Sequence, residues 1–351
     1  MTLTVGFLGA GNIAHYHARL LRHCRDEFTW ASVYDPDPQR AEAFAAEHGA
    51  SVAAGAEQVV EASDVVYVVT WTSEHLPLVR MVAEAGRALF CEKPLGRDLA
   101  EAADVVAAVT GAGIVNQVGL VLRRSPLFWL ARSVLADPRS GAPMSVVFRD
   151  DQHLPVRGLY RSTWRADRDK AGSGVLLEHS IHDVDLLEWL LGPIRTVSCS
   201  TSYFHGIEGI EDVAVARFGF DNGAEGSLVT IWHDLDGRIS NRHVEVFCEG
   251  GYGSLEGEWS GSFRRQFGAD PRPEVLEGEA MLGAAASVSP LAGEWPDPAF
   301  VAAVRQGGGA WPSVTDALRP HVIVDACYRS AARAGQPVAV DLPDADLTRA
   351  P

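Results

Sequence analysis

Lysine is nearly missing from this chain. Of 30 basic residues only Lys93 and Lys170 are lysine, and the other 28 are arginine. Arginine stays charged in proteins, whereas a partly desolvated lysine can gain and lose a proton. A lysine kept against that bias marks a position to inspect for proton chemistry, although Lys170 shows that one also survives without a motif around it. Cysteine is scarce as well: Cys24, Cys91, Cys199, Cys248 and Cys327 lie far apart and form no C-x-x-C pair. That spacing speaks against a disulfide framework and fits reduced core residues of a cytoplasmic protein. Positive charge is in deficit, with a formal net charge of −16. Nucleic acid and anionic membrane surfaces are therefore not expected partners, since phosphates reward clustered cations. Any bound phosphate has to be held locally, by backbone N–H groups. No apolar run approaches the ~20 residues that span a bilayer. Met1-Thr2-Leu3-Thr4 carries no basic stretch and is followed by no cleavage signal, so no secretory leader is expected.

What is present suits a chain with two cores: 351 residues, 47% hydrophobic and 22% charged. Strands are expected at residues 4–8, 30–34, 65–69, 88–91 and 114–118, and helices at 13–22, 38–48, 76–85 and 99–109. Apolar strands alternating with helices predict an α/β fold with a doubly wound parallel sheet covered on both faces. Beyond Gly119 the pattern changes. A helix at 125–137 and a strand at 144–149 lead through a stretch rich in Arg, Trp and Tyr to a helix at 175–191, stopped by Gly192-Pro193. Strand-like runs follow at 196–203, 212–218, 224–232, 243–248 and 252–256, with turns at Asp221-Asn222-Gly223 and Asp236-Gly237. They predict a second α/β domain with one large, open, mostly antiparallel sheet. Residues 257–294, rich in Gly, Ala, Pro and Glu, read as a long loop before helices at 298–306 and 314–334. Domains are expected at 1–120 and 121–351.

The first strand runs into Gly9-Ala10-Gly11-Asn12-Ile13-Ala14, a G-x-G-x-x-A at a strand-to-helix turn. Gly9 permits the tight turn and Gly11 lets backbone approach a pyrophosphate. Ala14 keeps the helix against the sheet, and the N–H groups around Asn12 and Ile13 face the phosphates. Alone the motif is weak, but within a βαβ unit it has the context of a dinucleotide fingerprint. Asp35 closes the second strand, where an acid binds the adenosine ribose hydroxyls and repels a 2′-phosphate. NAD is thus expected over NADP, with Arg40 nearby keeping NADP open.

In such sheets ligands bind beyond the carboxyl ends of the strands. Thr70-Trp71 and Glu92-Lys93-Pro94 follow strands at that edge, and Pro94 biases Lys93 towards extended backbone. His75 serves equally as a pocket residue or as helix-start punctuation. In the second domain Glu178, His182 and Asp185 fall at i, i+4 and i+7 of the expected helix and share one face. Three readings of that face stay open. It is a hydrated row of paired side chains, a metal site without support from any Cys or H-E-x-x-H pattern, or a proton-transfer centre whose imidazole is oriented by a carboxylate.

Together these residues resemble the Gfo/Idh/MocA family (glucose–fructose oxidoreductase, inositol dehydrogenase, rhizopine catabolism protein). The resemblance rests on the G-x-G-x-x-A turn, Val33-Tyr34-Asp35, Glu92-Lys93-Pro94-Leu95, Gly174-Val175-Leu176-Leu177-Glu178 leading to His182-Asp183-Val184-Asp185, and Glu211-Asp212. It implies a Rossmann domain followed by an α/β domain whose open sheet often forms the oligomer interface, hence a homodimer or homotetramer. It implies hydride transfer between a nicotinamide and a sugar or cyclitol carbon. Lys93 matches the motif lysine and His182 the helix histidine, while Glu178 stands where many members have Asp. His179 is a group the usual pattern does not supply.

The expected activity is that of an NAD(P)-dependent oxidoreductase acting on a secondary alcohol or ketone of a sugar, cyclitol or related polyol. Lys93, His182 and Glu178 are the expected catalytic residues, Lys93 and His182 handling the hydroxyl proton, and no metal is called for. The cofactor is expected to meet Thr70, Trp71, His75, Glu92 and Lys93 besides the glycine turn. Lys93, Gln152, Tyr160, Trp164, Arg165, His179 and His182 form the expected substrate wall, with Arg123, Arg124, Asp151 and His153 in the same polar set. Its arginines equally fit a carboxylate or phosphate on the substrate, or a solvated loop. Two rival functions remain: a glycosidase that uses NAD transiently, and a non-catalytic dinucleotide sensor, which should lack a complete Lys/His pair.

Overall fold

A computed structural model describes residues 2–158 and 160–341. The first compact unit comprises the residues up to Leu120 together with Trp295–Leu318. It opens with β1 (Leu3–Leu8), α1 (Asn12–Leu20), β2 (Phe28–Tyr34), α2 (Pro38–His48), β3 (Ser51–Val52) and α3 (Ala56–Ala62). It continues with β4 (Val65–Val68), α4 (His75–Glu84), β5 (Ala88–Cys91), α5 (Leu99–Ala112) and β6 (Asn116–Val118). The six strands are all parallel, in the order β3-β2-β1-β4-β5-β6. This is the doubly wound arrangement expected, with its switch point between β1 and β4. Every residue of β4 and β5 is buried, which is why those strands read as unbroken apolar runs.

One face of the sheet packs Val66, Val68 and Leu89 against Val59, Val79 and Val105. The other packs Phe7, Tyr67 and Phe90 with Phe44, Phe300 and Val301. Phe7 and Phe90 stack on either side of Tyr67, with centroids 4.6 and 4.7 Å away. Phe300 and Val301 arrive from the far end of the chain. Trp295–Leu318, which periodicity alone places with the second domain, therefore completes the first core.

The second unit comprises Val121–Glu294 and the chain from Arg319 onward. Its elements begin with α6 (Pro126–Ala136), β7 (Pro143–His153), α7 (Arg168–Ala171), α8 (Val175–Glu178) and α9 (Ile181–Leu191). Then come β8 (Ile194–Ser202), β9 (Val213–Phe220), β10 (Glu225–His233), β11 (Asn241–Cys248), β12 (Gly251–Gly257), β13 (Gly261–Phe267), β14 (Glu274–Glu277) and α10 (Gly278–Val288). After α11 (Pro296–Gln306) of the first unit, α12 (Val314–Ala331) and β15 (Val338–Ala339) finish the order. The nine strands run β14-β13-β12-β11-β7-β10-β9-β8-β15 and are antiparallel except for the β7–β10 pair. Burial alternates residue by residue along β9, β10 and β11, so one face is covered and the other is open. Val147, Val215 and Phe247 are exposed on that open face.

Two expectations fail here. Residues 257–294 are not a long loop but hold β13, β14 and α10. Their apolar anchors are sparse, Phe263, Leu276, Met281 and Ala285, and are diluted among glycines that mark element ends rather than irregular chain. The expected helix over 175–191 is two helices, broken at His179-Ser180.

Candidate active site

In the first unit Gly9 adopts φ +101°, and a Cβ there would meet the Val69 carbonyl oxygen at 2.7 Å. Only glycine makes this turn, whose Gly9 N–H donates to the Tyr34 carbonyl at 2.8 Å. At Gly11 a Cβ would project into open space, so the backbone can be approached from outside. Gly11 caps α1 without any side-chain hydrogen bond to the first turn. The first turn, with Asn12 and Ile13 exposed, is thus suited to receive a ligand's oxygens on its leading N–H groups. The Asp35 carboxylate accepts the Ala10 N–H at 2.8 Å and the Asp37 N–H at 2.9 Å, which fixes it next to the turn. Arg40 is exposed and pairs with Asp37 at 3.4 Å. An open backbone cradle, an uncapped helix start and a fixed carboxylate at the end of β2 fit an NAD-type dinucleotide.

Lys93 lies just past β5, at the same edge as the glycine turn: Leu8, Val68 and Cys91 are neighbours across β1, β4 and β5. Thr70 and Trp71, half-buried, follow β4 there, with the Thr70 hydroxyl on the Trp71 carbonyl at 3.3 Å. Lys93 is half-buried between buried Glu92 and Pro94, and the Lys93–Pro94 bond is cis. His75 donates through Nδ1 to the Pro94 carbonyl at 2.8 Å. Burial lowers its pKa, so a neutral imidazole steadies this loop.

Beneath the loop runs a buried ionic chain. The Glu92 carboxylate accepts the Lys93 N–H at 3.0 Å and His17 Nε2–H at 2.9 Å, and His17 Nδ1–H donates to Asp297 at 2.8 Å. His17 is fully buried, which disfavours its charge, but Asp297 and Glu92 outweigh burial and raise it to about 10. The imidazolium ties α1, the Lys93 loop and α11 together. Sequence reading did not single out His17 or Asp297, for they stand 280 residues apart.

In the second unit α8 begins at Gly174, where a Cβ would lie 1.9 Å from the Glu211 carbonyl oxygen. The Glu211 carboxylate accepts the Gly174 N–H at 2.8 Å, the Leu176 N–H at 3.0 Å and the Tyr328 hydroxyl at 2.8 Å. It satisfies the start of the helix, which gives Glu211-Asp212 its place in the motif. The break after α8 rests on a polar layer of the sheet. Arg242, Asp150 and Thr230 occupy one level of β11, β7 and β10 on the covered face. Above them His179 Nε2 meets Asp150 at 2.7 Å, Ser180 bonds Thr230, and Arg242 Nε donates to Asp183 at 2.6 Å. Arg242 also reaches Glu258. Burial pushes Asp183 up to about 7 against the pull of Arg242. Burial opposes the charge on Arg242, but Asp150, Asp183 and Glu258 raise its pKa. His179, expected at the substrate, thus lies within this layer.

The predicted acid–histidine–acid face is therefore not one continuous row. Buried Glu178 pairs with Arg165, whose guanidinium stacks on Trp164 at 4.5 Å and donates to the Ser162 hydroxyl at 2.7 Å. Asp185 accepts a two-pronged contact from Arg123 at 2.8 and 2.6 Å. Within α9 every residue is buried except His182. Gln152 accepts from the Trp232 indole at 3.1 Å, and Tyr160 is half-buried. Arg123 and Arg124, expected along a substrate wall, are buried in ion pairs with Asp185 and Glu294. Asp151 pairs with Arg238 at 2.7 Å, and His153 is 3.6 Å from Asp234.

Fold and turn chemistry define a dinucleotide-binding protein of the Rossmann class. Two family models match the chain: the NAD-binding Rossmann fold of the Gfo/Idh/MocA oxidoreductases over residues 3–120 and the Gfo/Idh/MocA C-terminal domain over 128–253. The protein belongs to the Gfo/Idh/MocA family. Inositol 2-dehydrogenase of Cereibacter sphaeroides is 28% identical over 98% of both chains. The scyllo-inositol 2-dehydrogenase (NAD(+)) of Bacillus subtilis is 31% identical over 68% of this chain and 72% of its own. A solved levoglucosan dehydrogenase in complex with NADH and levoglucosan shares the fold, with TM-score 0.84 and 22% identity over 97% of this chain and 100% of its own.

Proposed function

We propose that the protein oxidises a secondary alcohol, or reduces the matching ketone, of a sugar, cyclitol or related polyol. Lys93 and His182 handle the hydroxyl proton. The observation that carries this reading is His182, the one residue of α9 that is not buried, on a helix start pinned by the His179–Asp150 and Ser180–Thr230 contacts. The Gly9–Gly11 turn and Asp35 would hold NAD, whose chemistry there would be to take up or supply the hydride. Lys93, held through Glu92, binds and polarises the substrate oxygen. In oxidation an imidazole nitrogen of His182 takes the hydroxyl proton as the carbon loses hydride and the C–O bond becomes C=O. Glu178, through Arg165 and the stacked Trp164, shapes a wall of aromatic face and hydrogen-bonding groups suited to a polyhydroxylated ring; Gln152 and Tyr160 belong to it. Asp35 favours NAD over NADP, and the Arg40–Asp37 pair leaves no need for a 2′-phosphate. Relatives named for inositol and levoglucosan support the substrate class. The exposed Val147, Val215 and Phe247 support a homo-oligomer formed through the open face of the nine-stranded sheet, in a cytoplasmic setting.

The test is NADH or NADPH formation with cyclitols, aldoses, aminosugars and sugar acids, for wild type and Lys93→Met in parallel. One substrate class should reduce NAD, and Lys93→Met should lose about 10²–10⁴-fold in turnover while still binding NAD. Full activity in the variant would overturn the role of Lys93. Glycoside cleavage without net NADH would replace the dehydrogenase by the glycosidase.

A further inference from the structure

We infer a divalent-cation site of the zinc class on the first unit, formed by His15 of α1 with Glu47 and His48 of α2. His15 Nδ1 lies 3.0 Å from one Glu47 oxygen and 3.1 Å from His48 Nε2, and His48 Nε2 lies 3.5 Å from the other Glu47 oxygen. Zinc held tetrahedrally at ~2.0–2.1 Å places its donors about 3.3 Å apart along each edge. The two separations from His15 Nδ1 are close to such edges, and one donor atom from each of the three residues lies within 4.8 Å of the others. A small adjustment of Glu47 thus seats three corners of the shell and leaves the fourth to water, as in two-histidine, one-glutamate zinc sites.

Hydrogen bonding alone leaves the cluster in conflict. If His15 Nδ1 carries a proton, one N–H is divided between a carboxylate and a second imidazole. If His48 Nε2 donates instead, the His15 lone pair faces the carboxylate. A cation resolves both, because all three groups then present lone pairs. The donors are also preorganised. The His48 ring packs on Phe44 at 4.6 Å and Trp30 at 5.9 Å, and His15 on Phe44 at 5.2 Å. Both ligands from α2 sit in its last turn, before Gly49, where the helix dipole favours positive charge. Arg22, 3.9 Å from Glu47, acts against the cation, but its side chain is 57% exposed and free to swing into solvent. Ligand preference among divalent first-row metals favours copper and zinc at such a nitrogen-rich site. The bound ion would clip α1 to α2, the helices that flank the glycine turn.

The experiment uses the full chain purified without a metal-affinity tag, stripped with chelator and titrated with zinc sulfate by calorimetry. A single equivalent should bind and raise the melting temperature, since a ligand of the folded state stabilises it. Cobalt in its place should show the intense visible bands of tetrahedral coordination. His15→Gln and Glu47→Gln should each weaken zinc by more than about 10-fold while keeping the metal-free melting temperature, as both side chains are partly exposed. No saturable zinc binding, or equal affinity in wild type and both variants, would overturn the site. Neither readout depends on substrate or dinucleotide.

Discussion

Beneath Lys93 the first unit buries one histidine between two carboxylates, whereas beneath the α8–α9 break the second buries one arginine among three. In the first cluster the cation is the shifted group: His17 stays charged up to about pH 10, and both its nitrogens are taken. In the second the cation is raised as well, but an acid is shifted too, with Asp183 pushed up to about 7 by burial. Buried charges are tolerated only when paired, and the two units meet that demand with different reserves. The first is fixed across the working range of an enzyme. The second holds an acid raised into that range, under the helix that presents His182.

The contrast can be broken most severely at Arg242. Replacing it by Leu leaves Asp150 and Asp183 buried without their cation, a loss expected to be about 3–5 kcal/mol of stability in urea unfolding at pH 8. The deficit should shrink in acid, where the carboxyls take up protons; a midpoint unchanged at pH 8 would contradict the electrostatic account. His17→Gln should cost somewhat less, about 3 kcal/mol at neutral pH, because the amide nitrogen still donates to one of the two carboxylates. Here the sign is fixed by a folded pKa raised above the usual 6.5. Stability from His17 is full below pH 6.5 and fades as pH rises through about 10. Wild type should weaken across that window and the variant should not. Asp183→Asn is the mildest change, about 1 kcal/mol. A raised acid makes the folded state hold its proton longer, so stability falls between the usual 3.8 and about 7. The variant should flatten that slope, and an unchanged slope would place the titration elsewhere.

The parallel sheet was legible because Val65-Val66-Tyr67-Val68 and Ala88-Leu89-Phe90-Cys91 have no polar face to show, and the glycine turn because its chemistry is local. The Lys93 motif was legible for the same reason. The break at His179-Ser180 was not. Neither residue forbids a helix, and only docking onto Asp150 and Thr230 of the sheet imposes the break, a case of tertiary contacts overriding propensity. The fate of Glu178 and Asp185 was hidden similarly, since spacing gives a shared face but not the arginines that meet it. The His17–Asp297 contact has no local signature at all. Residues 257–294 misled through composition: strands of four and seven residues, each with few buried positions, leave too short a pattern to stand out among glycines.

Asp297, Phe300 and Val301 also set an order of events in the cell. The first unit begins at the amino terminus, yet its aromatic core and its histidine clamp are completed by residues translated after the whole 121–294 segment. While that segment is being made, the earliest-made sheet waits with an open slot beside Phe7, Tyr67 and Phe90. Domains usually fold as they emerge, amino-terminal first. In this chain the part synthesised first cannot finish until Trp295–Leu318 has been made, and a ribosome stalled short of residue 297 would release a dinucleotide fold without its keystone.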